Sequence, residues 1–205
     1  DEVFIDAIRK QNQVLEYKDF YNLLIKRKKF FQKSLIDDIL EVGCGTGWLT
    51  NSIYYHYGKK VKGIDYTLKA IEIASKVSRK IKTRNIFESC DLFNYEDQKK
   101  YDLVISIGCL HHTNDCKAAF NKICKYVKKG GYVYLGLYHL YSRIPMLNYL
   151  RNQAFWYGNE FAYNVFKRMN LDMESPEHSY SWFRDQVFHP QETQHTLKEV
   201  ISWLN

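Results

Sequence analysis

No run in this chain of 205 residues approaches the roughly eighteen consecutive apolar residues of a membrane-spanning helix. The opening Asp1-Glu-Val-Phe lacks the basic-then-apolar order of a secretory signal, so the sequence is read as cytoplasmic. Cysteine is sparse: five residues, an odd number, with no zinc-type spacing and with the apolar neighbours of reduced, buried thiols. A disulfide framework and a metal site are both disfavoured. Proline occurs only at Pro145, Pro176 and Pro190, all within the stretch 139–195.

What is present is a composition able to build a core. Apolar residues make up 45% and aromatics 16%, which excludes a disordered polymer, and the length suits one folded domain. The formal charge of +7 would suit nucleic acid or an acidic surface, yet Lys and Arg are scattered through nearly every segment. The two densest clusters, Lys26-Arg27-Lys28-Lys29 with Lys33 and Lys122, Lys125, Lys128 and Lys129, read as solvated helix faces.

Short apolar runs alternate with helical patterns from residue 36 onward. Strands are expected near 37–42, 61–65, 86–90, 102–107 and 131–138, and helices near 46–57, 67–80 and 115–128. In the last of these, Cys116, Phe120, Ile123 and Val127 recur at helical spacing, Asp115 can cap the start, and Gly130-Gly131 is expected to end it. The fold class is α/β: a doubly wound, Rossmann-like, mostly parallel sheet with helices on both faces. Residues 1–35 are expected to form an N-terminal helical lid and 36–138 the core. The segment 139–195 reads as an inserted aromatic cap with one helix before and one after Gly158. A capping box at Thr196-Leu-Lys-Glu199 opens a last core helix over 196–205, with an apolar face of Leu197, Val200, Ile201 and Leu204.

The most informative segment is Glu41-Val-Gly-Cys-Gly-Thr-Gly-Trp-Leu49. An apolar strand runs into glycines at Gly43, Gly45 and Gly47 and then into a helix, a turn whose backbone lets a ligand approach. Dinucleotide sites use G-x-G-x-x-G; here the spacing is Gly43-x-Gly45-x-Gly47 and Trp48 fills the sixth position, which disfavours a dehydrogenase.

These residues resemble motif I of class I S-adenosylmethionine-dependent methyltransferases. Further blocks follow in order: Val61-Lys-Gly-Ile-Asp65, Glu88-Ser-Cys-Asp91-Leu92-Phe93, Tyr101-Asp-Leu-Val-Ile-Ser-Ile-Gly108 and Gly130-Gly-Tyr-Val-Tyr-Leu-Gly-Leu-Tyr138. The resemblance implies that S-adenosylmethionine binds at the carboxyl ends of the strands and leaves as S-adenosylhomocysteine. Asp65 would accept from the ribose hydroxyls, Asp91 from the adenine amino group beside the Leu92 backbone, and Glu41 would balance the methionyl ammonium. Cys44, Tyr66 and Ile107 complete the expected cofactor set. Edge strands that such enzymes carry after the last helix are not supplied by this sequence.

Methyl transfer from a sulfonium is an in-line displacement needing alignment, dehydration and, for some acceptors, a base. His112 is the preferred candidate for that base, with His111 and His139 as alternatives; the rival is that both His111 and His112 merely close a loop. One bacterial branch of these enzymes is similar at Gly136-Leu137-Tyr138, Tyr141-Ser-Arg143, Asp185-Gln186, His189-Pro190 and His195-Thr196. On that resemblance Tyr141, Arg143, Asp185, Gln186, His189 and His195 either line an acceptor pocket or pin the cap by hydrogen bonds. His189, Glu192 and His195 lie on a loop without i, i+4 geometry, so no metal is expected.

The expected partner is a small-molecule acceptor. A nucleic-acid methyltransferase is the rival, disfavoured because Ser106-Ile-Gly-Cys109 replaces the Asn/Asp-Pro-Pro-aromatic segment of base-amino enzymes and because Cys109 lacks a neighbouring proline. A non-catalytic S-adenosylmethionine-binding protein is the other alternative. An exposed aromatic face on the cap would suggest a homodimer contact.

Overall fold

The computed structural model describes residues 36–169 and 176–204, together with Ile5 and Ile8. The chain divides into two compact units: Asp1–Leu110 with Asp115–Gly136, and His111–Asn114 with Leu137–Asn205. Most of the N-terminal lid lies outside the described residues.

The first unit holds five strands, β1 (Ile39–Val42), β2 (Val61–Asp65), β3 (Ile86–Ser89), β4 (Tyr101–Ile107) and β5 (Val127–Gly136), in the order β3-β2-β1-β4-β5. Every pairing is parallel. Strand order therefore reverses between β1 and β4, and in such a sheet ligands bind beyond the carboxyl ends at that point. β1 is buried throughout, as its unbroken Ile-Leu-Glu-Val run requires of a strand covered on both faces.

Helices α1 (Trp48–Tyr57), α2 (Leu68–Lys80) and α3 (Cys116–Cys124) connect the strands. Leu49 and Ile53 of α1 join Ile36, Ile39, Val61, Leu103 and Ile105 in one buried cluster. On α2, Val77 packs with Ile5 and Ile8. The Ile8 carbonyl lies 2.9 Å from His56 Nε2, which ties that short N-terminal piece to α1.

Strand and helix limits agree with the sequence expectations to within about two residues, with the stretch from α3 to β5 as the exception. Asp115 does cap α3, accepting from Ala118 N at 2.8 Å. The helix nevertheless ends at Cys124, before the expected Gly130-Gly131 stop, and Val127 belongs to β5. Tyr101 N donates to Tyr126 O at 2.7 Å, and Tyr126 Oη donates to Tyr95 O at 2.6 Å, so pairing to β4 captures the chain where helical spacing alone would have continued. Gly130 and Gly131 instead make a bulge inside the strand: the partner of β4 moves from Val127 to Tyr132 while β4 advances only from Tyr101 to Leu103. Gly130 takes φ +81°, and a Cβ on Gly131 would lie 2.8 Å from the Asp102 carbonyl. β5 consequently ends at Gly136, two residues short of the expected Tyr138.

The second unit is helical: α4 (Leu140–Tyr157), α5 (Asn159–Met169), α6 (Pro176–Phe188) and α7 (Leu197–Ser202). Gly158, at φ +88°, separates α4 from α5 as expected. Its core joins Leu150, Ala162, Phe166, Phe183 and Val187. Helix α6 has no counterpart in the sequence expectations. Its inward residues Phe183 and Val187 share the helix with outward Tyr180 and Phe188, so apolar side chains on several faces blur the 3.6-residue period. Thr196 caps α7 by accepting from Glu199 N at 3.1 Å. The helix groups with the helical unit, and three residues of its expected apolar face, Leu197, Ile201 and Leu204, are exposed; Trp203 is the buried one.

Candidate functional site

The glycine turn is held from below by β2. Gly43 N and Cys44 N both donate to the Ile64 carbonyl, at 2.8 and 3.1 Å. All three glycines adopt positive φ, yet their surroundings differ. A Cβ on Gly43 would lie 2.4 Å from Cys109, and one on Gly47 would lie 2.7 Å from Ala74 and 2.9 Å from the Phe87 ring. Around Gly45 nothing among the described residues lies within 4 Å of that position. The outer glycines let the turn pack against its neighbours, and the middle one presents open backbone to a ligand.

Carboxylates surround this opening. Asp65 Oδ2 accepts from Gly45 N at 2.8 Å while Oδ1 accepts from Thr67 N at 2.8 Å, so the end of β2 and the turn form one rigid piece. Glu41, buried in β1, accepts from the Thr50 hydroxyl. Burial pushes the Cys44 thiol well above its ordinary range, with Glu41 and then Asp65 adding to the effect. That combined negative field opposes a phosphate and suits a cationic ligand. The residues thus fit the sulfonium cofactor that the sequence resemblance implies better than they fit a pyrophosphate.

The remaining expected cofactor residues also belong to this unit. Cys90 N donates to the Asp65 carbonyl at 2.9 Å, joining the ends of β2 and β3. Asp91, next in the chain, folds its own turn by accepting from Phe93 N and Asn94 Nδ2, each at 2.9 Å. Leu92 is half-buried beside it, Tyr66 is largely exposed, and Ile107 at the end of β4 packs against Gly136. Cys109 fills the space beside Gly43, and burial pushes its thiol up to about 11, which makes it a packing residue rather than a nucleophile.

In the helical unit the candidate bases His111 and His112 form a column of rings. His111 lies 4.1 Å from the Tyr138 ring and 4.3 Å from His112, and His112 lies 3.9 Å from His189. His112 Nδ1 is 2.8 Å from the Gln191 carbonyl, which directs the ring's other nitrogen elsewhere. His111 is fully buried, and neither of its ring nitrogens has a hydrogen-bond partner among the described residues. Burial first, then the neighbouring His112, lowers its pKa to about 3, so His111 is neutral near pH 7. The third candidate, His139, is exposed and stands at the cap position of α4, where its carbonyl accepts from Arg143 N at 2.9 Å.

The six acceptor candidates separate into groups. Arg143 is 5% exposed and makes four hydrogen bonds: Nε and Nη2 donate to the two Glu192 oxygens at 2.8 and 2.6 Å, and Nη1 and Nη2 donate to the Gln186 side chain and carbonyl at 3.1 and 2.6 Å. Its guanidinium also lies 4.0 Å from the centre of the Tyr138 ring, whose hydroxyl accepts from Gln186 Nε2 at 2.7 Å. Burial pushes the Glu192 carboxyl up, but the hydrogen bonds from Arg143 and Gln194 and the charge of Arg143 together outweigh it and hold the group below its ordinary value. His195 Nδ1 is 2.9 Å from Glu199 and its Nε2 is 2.9 Å from the Thr193 hydroxyl. Asp185 and His189 instead line a hollow on α6, and Tyr141 is exposed with its ring 5.6 Å from His139.

Sequence reasoning missed Glu192 as the partner of Arg143; its position three residues after His189 carries no periodic signal. Tyr138, the anchor for Gln186 and His111, was visible only as a strand end. His189, Glu192 and His195 are each tied to separate groups, and among the described residues no three metal-ligating side chains gather.

A five-stranded parallel sheet in the order 3-2-1-4-5, with a glycine turn closing its first strand, defines a Rossmann-like nucleotide-binding fold. The chain belongs to the methyltransferase-domain family, whose model matches residues 36–200. It is similar to a ubiquinone biosynthesis O-methyltransferase of Pelagibacter ubique, 25% identical over 134 residues that span 58% of this chain and 55% of the relative. It also resembles a malonyl-[acyl-carrier protein] O-methyltransferase of Acetivibrio thermocellus, 33% identical over 116 residues spanning 56% and 40% of the two chains. The chain thus spans about half or less of the length of these curated relatives. Among solved structures, the plantazolicin methyltransferase BpumL in complex with SAH aligns over 92% of this chain and 59% of its own, at TM-score 0.58 and 18% identity. PKMT2 from Rickettsia typhi aligns over 82% of this chain and 38% of its own, at TM-score 0.66 and 14% identity. These structural matches share the fold. Among the described residues no helix is long and apolar enough to cross a membrane.

Proposed function

We propose that the chain is an S-adenosylmethionine-dependent methyltransferase acting on a small-molecule acceptor. The observation that carries this reading is the pairing of an open Gly45 backbone with the Asp65 carboxylate 2.8 Å from its nitrogen, above the buried Glu41. Bound there, S-adenosylmethionine supplies a sulfonium methyl group for in-line transfer.

The chain's own residues have three tasks. Asp65 and Asp91 hold the sugar and base through their carboxylates, and Glu41 offsets positive charge beneath the turn. His112 removes a proton from the acceptor atom; its Nδ1 contact with the Gln191 carbonyl at 2.8 Å orients the ring and assigns the base role to Nε2. His111 is too strongly held in its neutral form to take up that proton. The small-molecule part of the reading is supported by the curated relatives, which include O-methyltransferases of ubiquinone biosynthesis and of malonyl-[acyl-carrier protein].

The test is conversion of S-adenosylmethionine to S-adenosylhomocysteine with a panel of hydroxylated and carboxylated small molecules. Turnover that depends on the acceptor is expected. Binding of the donor without conversion by any acceptor class would point to a cofactor-binding regulator, and turnover confined to RNA would replace the small-molecule assignment.

A further inference from the structure

Helix α6 carries a hollow of about 360 Å³ lined by Tyr180, Arg184, Asp185, Phe188, His189 and Pro190. Its volume lies at the lower end of the range for small-ligand sites, about 300–1,000 Å³. Tyr180, Arg184 and Phe188 follow one another at four-residue intervals, so they form a single stripe along the helix with the cation between two rings. The adjacent face of α6 is anchored by Phe183 and Val187, both fully buried, which leaves the stripe at the surface.

The state of the arginines decides what this hollow can hold. Arg143 is neutralised by Glu192 and donates to Gln186, and Arg151 Nε donates to the Val187 carbonyl at 2.8 Å. Arg184 has no hydrogen-bond or ion-pair partner among the described residues. Asp185, its neighbour, accepts from Gln186 Nε2 at 3.2 Å and keeps further lone pairs for a hydroxyl or N–H donor. His189 forms the end of the hollow, and its ring lies 3.9 Å from His112.

We infer that this hollow is a binding site for a flat-ring anion, an aromatic carboxylate or phosphate. The ring lies against Tyr180 and Phe188, and the anionic group pairs with the fork of Arg184. Arg143, one of the acceptor candidates, is committed to Glu192 and Gln186 in a buried site, whereas Arg184 is exposed. On the methyltransferase reading, on which this part rests, the bound anion is the methyl acceptor and His189 joins its site to the proposed base.

Calorimetric titration of the protein with 4-hydroxybenzoate and phenyl phosphate, with benzyl alcohol as the uncharged comparison, tests the site without requiring turnover. Both anions are expected to bind at least tenfold more tightly than benzyl alcohol. Their affinity should fall at least tenfold in Arg184→Gln, and the same variants of Arg143 and Arg151 are not needed to see it. Tyr180→Ala should weaken both anions while leaving the melting temperature close to that of the parent protein. Equal affinity of parent and Arg184→Gln for the anions, or no binding by the parent at about 10 mM, would overturn the inference. A parallel titration with S-adenosylmethionine separates the two ideas. Donor binding without Arg184-dependent anion binding removes the hollow alone; anion binding without donor binding keeps the site and removes its role as acceptor.

Discussion

Cys109 occupies the space that a side chain at Gly43 would need. The two residues come from the ends of different strands, and a Cβ on Gly43 would stand 2.4 Å from both Cβ and Sγ of Cys109. Because Gly43 also sits at φ +76°, Gly43→Ala combines an overlap with a left-handed backbone. A loss of about 2–4 kcal/mol in unfolding free energy is expected by denaturant titration. Cys109→Gly in the same background, which removes both overlapping atoms, should recover part of it, which a purely conformational penalty would not allow.

Gly45→Ala should behave in the opposite way. With nothing among the described residues within 4 Å of the added methyl, its cost to stability is that of the φ of +51°, about 1 kcal/mol. The methyl stands where a ligand would approach, so affinity for S-adenosylmethionine should fall at least tenfold while the fold persists. Unchanged affinity would show that the ligand lies elsewhere.

The buried pair of Arg143 and Glu192 should be expensive to break and cheap to replace. Both side chains are at most 5% exposed, so Glu192→Gln leaves the guanidinium uncompensated at a cost of about 3–5 kcal/mol. Arg143→Met with Glu192→Leu should be markedly more stable than either single change. Additive losses in that cycle, read by chemical denaturation, would contradict the assignment of the pair as a mutually dependent pin.

His111 makes stability depend on pH in a defined direction. Its folded pKa, about 3, lies below the ordinary value of 6.5, so the unfolded chain binds its proton first. Stability contributed by the neutral ring is full above pH 6.5 and declines as the pH falls from there toward 3, with a slope approaching 1.4 kcal/mol per pH unit. His111→Phe should reduce the difference in stability between pH 7.5 and pH 5, whatever other histidines contribute, because the comparison is with the parent protein under the same conditions.

His112→Ala should lower kcat about 100-fold or more at saturating acceptor. Full turnover across about pH 6 to 9 would exclude a base at this position and return the residue to loop closure.

The sheet was legible because its strands are short runs rich in apolar residues separated by helical patterns, and β2, Val61-Lys-Gly-Ile-Asp65, closes on a carboxylate at the carboxyl edge. Asp65 could be placed from spacing alone, since strand length and the turn fix its distance from Gly45. The start of β5 was not legible. Val127 continues the helical spacing of α3, and only pairing to Tyr101, a contact distant in sequence, decides between helix and strand. Helix α6 and the Glu192 contact escaped for a related reason: tertiary partners select them, and the local pattern of aromatics and charges fits several faces equally. That Arg184 has no partner among the described residues could not be read from sequence at all, because it depends on which carboxylates other arginines have already taken.

Titration of S-adenosylmethionine into the protein and into Asp65→Ala tests the central claim most directly. The account predicts one site with micromolar affinity in the parent chain, weakened about 10- to 100-fold when the carboxylate that braces Gly45 and meets the sugar is removed. No binding by the parent at millimolar donor, or equal affinity in the two proteins, would contradict it.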